Sequence, residues 1–144
     1  ELIGECTSRR EPPLLPEDFR QALAHKSFTS KKADEAMVAD LYAATFRERT
    51  QAVRVLMCMS LDWGDSDAIA LSKVLKSGAL PAVQKINLMH NLIGDAGAAA
   101  LAEAISSGAL ASLRVLALGA NPISEQAQRA LEETMSKLSG EAIF

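Results

Sequence analysis

The sequence has few aromatic residues and cysteines, no long apolar run and no excess of basic residues. Aromatic residues make up only 4% of its 144 residues, and there are two cysteines, Cys6 and Cys58. A disulfide-stapled fold is therefore not expected. No apolar run approaches the ~20 residues that a membrane-spanning helix needs. The chain has 15 basic and 18 acidic residues and a net charge of −3. This balance gives no electrostatic case for nucleic acid or for an anionic membrane surface.

Motifs for catalysis and cofactor binding are also missing. The nucleotide-binding pattern GxxxxGK[ST] does not occur, and neither histidine lies near a nucleophile in a defined motif. One acidic cluster, Asp62, Asp65 and Asp67 in "DWGDSD", invites a metal-site reading. It lacks the later ligands and the closing glutamate of a calcium loop, so we favour helix capping over metal binding. We predict no catalytic, cofactor-binding or metal-ligating residues.

What the sequence does have is hydrophobic residues, 49% of the total, in a pattern that recurs every thirty residues. The stretch 83–112 contains the repeated positions, and shifting it by thirty in either direction finds equivalents. The linkers agree as well, "KSGALPAV" at 76–83 and "SSGALASL" at 106–113. The aligned positions are Val53, Leu56, Cys58, Leu61, Trp63, Asp67, Leu71 and Leu75; then Val83, Ile86, Leu88, Asn91, Ile93, Gly97, Leu101 and Ile105; then Leu113, Leu116, Leu118, Asn121, Ile123, Ala127, Leu131 and Met135.

Each unit combines two periodicities. Alternation at 86 and 88 predicts a short strand with one buried face, and the spacing 97, 101, 105 predicts one face of a helix. Neither element buries its apolar face alone, so the units are expected to stack, with their strands in one parallel sheet. Asn91 and Asn121 follow the strands. Their side-chain amides are predicted to be structural, pairing with backbone groups that the turn leaves without partners.

The pattern LxxLxLxxNxI…G…L…L resembles the leucine-rich repeats of the ribonuclease-inhibitor class, which also occur in NOD-like receptors. The resemblance covers residues 53–138, in units 53–82, 83–112 and 113–138. It implies an α/β leucine-rich-repeat solenoid of about three strand–helix repeats, with a short parallel sheet on the concave side and helices on the convex side. It also implies protein–protein binding far more often than catalysis.

The remaining residues are expected to close the two ends of this core. Residues 1–16 read as an extended, proline-containing arm, and 17–52 as an N-terminal helical cap. The cap is predicted to have a helix over 17–27 with Phe19, Leu23 and Ala22 inward. A second helix is predicted over 33–50, with Asp34 as its N-cap and Val38, Leu41, Tyr42, Thr45 and Phe46 inward. Residues 139–144 are a C-terminal tail that either covers the last unit or leaves it open to a partner.

The residues between the inward leucines are expected to point out of the concave face of the sheet. This face is unusually apolar for one that meets solvent, and methionine suits surfaces that adapt to a partner. Two readings remain: contact with a partner, or coverage by the arm or a cap of the same chain. The candidate protein-binding residues are Val55, Met57, Met59, Lys85, Asn87, Met89, His90, Val115 and Ala117; Gly119 completes the last column.

Together these patterns predict a non-catalytic protein–protein interaction module that acts as a scaffold or accessory subunit of a larger assembly. The alternative is a regulatory or sensor fragment of a protein like the NOD-like receptors; an enzyme is the third and least favoured class. Other proteins are the expected partners, and no cofactor, nucleic acid or transmembrane segment is predicted. We expect an intracellular location, and leave open an organelle reached after loss of a targeting peptide.

Overall fold

The computed structural model describes residues 10–26 and 32–144. In these ranges the chain is a mixed α/β protein with five helices and one four-stranded parallel sheet, which confirms the predicted class at that level. The elements in chain order are α1 (Pro16–Ala24), α2 (Lys32–Gln51), β1 (Val55–Met57), α3 (Asp65–Lys76), β2 (Lys85–Asn87), α4 (Asp95–Ser106), β3 (Val115–Ala117), α5 (Glu125–Ser136) and β4 (Glu141–Ile143).

The strands lie side by side in their chain order, β1-β2-β3-β4, and all neighbours are parallel. Leu56 pairs with Ile86, and Ile86 pairs with Leu116, so the three predicted inward strand positions occupy adjacent strands. A helix lies between each pair of successive strands, which is the connection that parallel pairing requires.

One hydrophobic core fills the space between the sheet and helices α3, α4 and α5. Isoleucine or leucine at the inward positions of β2 and β3 packs with the helix leucines, and these side chains are almost completely buried, whereas Leu56 on β1 is partly buried. Since aromatic residues are scarce, branched aliphatic side chains make up most of this core. Its fully buried members include Leu71, Leu75, Ile86, Leu88, Ile93, Leu101, Ile105, Leu113, Leu116 and Leu131.

Helices α3 and α4 approach each other closely because Gly97 carries no side chain. A Cβ at this position would lie 2.7 Å from Cγ2 of Ile93, 2.8 Å from Oδ1 of Asp65 and 2.9 Å from Cβ of Ala68. All three distances are shorter than real Cβ contacts, so the packing here depends on glycine. The sequence places Ala127 at the equivalent position of the next unit.

The N-terminal region packs on the first unit, but several details differ from those expected. Helix α2 begins at Lys32, so Asp34 lies in its first turn and is not the N-cap. Leu41 and Thr45 are exposed, whereas Ala39 is buried. The inward face is set by the Tyr42 ring, which stacks on Phe19 and whose hydroxyl donates to the Leu14 carbonyl.

Helix α1 also differs in part from the prediction. It spans Pro16–Ala24, with Leu23 buried as expected and Ala22 exposed, contrary to expectation. The preceding residues lie against the chain's own core: Pro12 is buried, and Leu15 packs on the hydrophobic cluster. The first nine residues of the predicted arm lie outside the described residues.

The C-terminal tail forms strand β4 and closes the other side of the sheet. Glu141 pairs with Val115 and Ile143 with Ala117. This register is four residues shorter than the thirty-residue interval of the earlier strands, so Ile143 does not take the place equivalent to Leu113. Leu138, Ala142 and Phe144 pack against the core. The tail thus covers the last unit.

Candidate functional site

The outer face of strand β1 is the most exposed apolar surface of the sheet. The alternating side chains Val55, Met57 and Met59 are 51%, 56% and 41% exposed. Leu56, between the first two, points to the opposite face and packs against the core. Strand β1 and the segment just after it therefore hold three apolar side chains in one row in solvent. The sequence predicted this exposure for these three residues.

The neighbouring columns are exposed to a decreasing extent across the sheet. Lys85 and His90 are exposed, whereas Met89 and Val115 are half-buried. His90 has a positive φ of 55°, as the turn after β2 requires, and its backbone N–H donates to the Gly119 carbonyl at 2.9 Å. The predicted surface is thus open at β1 and increasingly closed toward β3.

Two of the predicted surface residues are buried in the free chain. Asn87 is 8% exposed and Ala117 is 2% exposed. Ala117 is small and lies between Asn87 and Ile143 on adjacent strands. The Asn87 side chain bonds to its own loop, since its Oδ1 accepts from the Met89 N–H at 3.0 Å. Neither residue offers much surface to a partner in this arrangement.

The C-terminal residue covers the far corner of the same face. A Cβ on Gly119 would lie 3.3 Å from the carbonyl carbon of Phe144 and 3.1 Å from Cε of Met89. Gly119 is accordingly buried under the tail. The C-terminal tail therefore covers this face at the β4 side of the described structure, whereas the sequence analysis had named the arm or a cap as the covering segment, and the β1 side remains in solvent.

Asn91 holds the turns of two successive units together. Its Oδ1 accepts from the Leu61 and Trp63 N–H groups at 3.0 and 3.1 Å. Its Nδ2 donates to the carbonyls of Cys58 and Leu88 at 2.7 and 2.9 Å. The residue is buried, so the amide satisfies backbone groups that water does not reach.

Asn121 repeats this arrangement one unit later with fewer bonds. Its Oδ1 accepts from the Ile93 N–H at 3.0 Å, and its Nδ2 donates to the carbonyls of Leu88 and Leu118 at 2.9 and 2.7 Å. The residue is half-buried. Leu61 stands at this position in the first unit, and the Leu61 backbone N–H is instead bonded by Asn91.

Two aspartates link the units in a way that the sequence reasoning missed. Asp65 Oδ1 accepts from the Gly94 and Gly97 N–H groups at 2.7 and 2.9 Å, so the first helix of the pair binds the start of the second. Asp95 likewise accepts from the Ser124 N–H and hydroxyl, both at 2.8 Å. The signal was the Gly-Asp pair that recurs at 64–65 and 94–95.

The chemistry-bearing groups near this face have structural tasks. Asp67 Oδ2 accepts from the Gly64 N–H at 2.9 Å, which confirms the capping interpretation for this residue. Burial raises the pKa of the Cys58 thiol to about 11, so the thiolate is strongly disfavoured at neutral pH. In the ranges that the structure describes, no three histidine, cysteine, aspartate or glutamate side chains are grouped as a metal ion would require.

No protein-family model matches the chain, and no curated protein matches it significantly. Within 10–26 and 32–144, none of the helices combines the length and the apolar character that crossing a membrane demands.

Proposed function

We propose that the chain is a short leucine-rich-repeat solenoid of the ribonuclease-inhibitor type, and that it serves as a non-catalytic protein–protein interaction module. The solenoid proposal is supported by the register of β1, β2 and β3, whose paired residues are thirty apart, and by the equivalent bonding of Asn91 and Asn121. Such an arrangement presents a sheet face on one side of a shared core.

The observation that carries the functional proposal is the exposed row Val55, Met57 and Met59 on and just after β1. A contiguous exposed apolar patch often marks an interface. Methionine adds flexible, polarisable side chains that adapt to a partner's shape. We therefore assign the chain to a larger assembly as a scaffold or accessory subunit that binds another protein through this row.

The non-catalytic part of the proposal is supported by the tasks of the reactive groups. The carboxylates of Asp65, Asp67 and Asp95 accept bonds from backbone N–H groups, and the Cys58 thiol is buried with a raised pKa. Catalytic groups need geometry that leaves them available to a substrate. The three carboxylates thus hold turns and helix starts in place, and burial keeps the thiol protonated.

The test uses native mass spectrometry of the tagged chain, isolated from its source together with whatever it binds. A triple variant of the row is compared with a double variant that serves as the control. Replacing Val55, Met57 and Met59 with serine removes the apolar row, and the matched control replaces Met37 and Leu41 with serine, because both are at least as exposed on helix α2. We expect the first variant to lose the mass of the assembly while keeping its circular dichroism spectrum, and the control to retain it.

Two results would contradict the proposal. An assembly that is unchanged in the serine variant would move the interface away from β1. A chain that is isolated only as a free monomer, without any bound protein, would remove the subunit assignment altogether. A free monomer that binds a signalling protein on addition would favour the receptor-fragment alternative.

A further inference from the structure

Strand β1 is one of the two edges of the sheet, and two of its three residues point their backbone N–H and C=O groups away from β2. The Arg54 carbonyl accepts from the Lys85 N–H at 3.1 Å, and the Cys58 N–H donates to the Asn87 carbonyl at 2.8 Å, so the even-numbered residues face β2. In a parallel ladder, alternate residues point to opposite sides. The N–H and C=O groups of Val55 and Met57 therefore lie along the free edge.

Apart from its length of three residues, this edge lacks, within the described ranges, the devices that usually prevent strand addition. Natural edges are very short, or carry lysine, proline, bulges or a covering element. The three residues of β1 are Val, Leu and Met, the strand is regular, and its outer side chains are exposed. Among the residues that the structure describes, none donates to or accepts from the backbone of Val55 or Met57.

The edge is also complementary to itself. If two β1 strands run antiparallel about a twofold axis at Leu56, Val55 lies opposite the partner's Met57, and each such pair exchanges two backbone hydrogen bonds. The apolar side chains then meet apolar side chains. A parallel arrangement in the same register would instead place Arg54 beside the partner's Arg54, which is unfavourable for like charges.

We propose that a second copy of this chain pairs with the free edge of β1 in this antiparallel register, which makes one continuous sheet from two molecules. The proposal goes beyond the function proposed above, because it concerns the edge of β1 and self-association, whereas the partner-binding row lies on the face of the sheet. In the dimer the Met57 and Met59 side chains of both copies remain on that face and form a doubled apolar surface.

Sedimentation of the purified chain over a wide concentration range tests this pairing. We expect a monomer–dimer equilibrium, and we expect Val55→Pro and Met57→Lys each to raise the dimer Kd by at least about tenfold. Proline removes one outward N–H without removing a bond to β2, and lysine places a charge beside the partner's Val55. The controls Met37→Lys on α2 and Ile143→Lys on β4 should leave the Kd unchanged.

Circular dichroism shows whether each variant is folded, and Met57→Lys keeps the test valid if Val55→Pro unfolds the chain. A chain that remains monomeric at every concentration would overturn the proposal, as would a dimer that is indifferent to Met57→Lys. A monomer that still joins its native assembly through the β1 row would overturn only the dimer and leave the proposed function intact.

Discussion

The two sides of the sheet end in different ways. At β4 the chain covers its own last strand, with Phe144 over Gly119 and Leu138 against the core. At β1 the N-terminal residues cover the core, since the Trp63 indole N–H donates to the Arg10 carbonyl and Phe46 packs inward, but the sheet face and edge stay in solvent. The contrast shows that covering the core and covering the sheet are separate tasks in this fold, and the open sheet side is where the proposed partner site lies.

The largest expected effect is at the closed core beneath the open β1 side. Trp63 is 2% exposed and takes the place that Ile123 takes near β4. Trp63→Ala should lower the free energy of unfolding by about 4 kcal/mol and Ile123→Ala by about 2–3 kcal/mol, because more buried volume is lost in the first. Urea unfolding followed by circular dichroism measures both.

A conservative variant keeps part of the packing at the same residue. Trp63→Phe keeps an aromatic ring but removes the bond to the Arg10 carbonyl and some buried volume, so it should cost about 1–3 kcal/mol, less than Trp63→Ala. If Trp63→Ala were no worse than Ile123→Ala, the N-terminal residues would not be closing the core as described.

The next largest effect is the loss of stability when either of the two turn asparagines, Asn91 or Asn121, is replaced. Asn91→Ala strands two backbone N–H groups and the Cys58 carbonyl in a buried site, since the Leu88 carbonyl keeps its bond from Asn121, and should cost about 3 kcal/mol. Asn121→Ala strands one N–H and the Leu118 carbonyl at a half-buried site, so about 2 kcal/mol is expected. Denaturant midpoints of the two variants give the order. Equal costs would mean that water replaces the Asn91 amide, against the burial seen here.

The smallest expected effect is the pH dependence of stability that comes from the bonds between Asp95 and Ser124. The bond from the Ser124 N–H, and then that from its hydroxyl, lowers the pKa of the Asp95 carboxyl. A carboxyl whose pKa is lower in the folded state stabilises the fold above the ordinary aspartate pKa of about 3.9, and this contribution is lost as the pH falls through the lowered value. Asp95→Asn should therefore be less stable than the parent at pH 7.

The gap between Asp95→Asn and the parent should shrink as the solution is acidified below the ordinary aspartate pKa. Thermal unfolding across this range measures it, and Glu132→Gln, which changes an exposed carboxylate on α5, is the control. A gap that stays constant with pH would show that the charge of Asp95 does not contribute.

The sequence was informative where the thirty-residue period holds. The apolar rhythm placed Leu56, Ile86 and Leu116 on neighbouring strands, and the α/β class followed from it. Local periodicity determines these positions because each unit faces the same neighbours as the next. The segments outside the repeat were harder to predict. Strand β4 pairs with β3 at an interval four residues shorter than the thirty of the earlier strands. In this position it buries Ala117 and Gly119, which the repeat alone would leave on the surface.

The outward placement of Leu41 and Thr45 on α2, contrary to the prediction, has a different cause. Apolar residues such as Met37, Ala39, Leu41 and Ala43 are spread around this helix, so no single face stands out in the sequence. The stacking of Phe19 on Tyr42 selects the inward side, and this contact joins two helices that belong to no repeat. Long-range contacts of this kind decide orientation but leave no periodic signal. Asp65 was missed for a related reason, since its bonds reach the next unit.

Methionine oxidation is the most direct test of the claim that the open β1 side is an interface. Brief hydroxyl-radical labelling and mass spectrometry would compare the isolated chain with its native assembly, with buried Met135 as the internal reference. We expect Met57 and Met59 to be oxidised readily in the isolated chain and to be protected in the assembly. Equal oxidation of both residues in the two samples would contradict it.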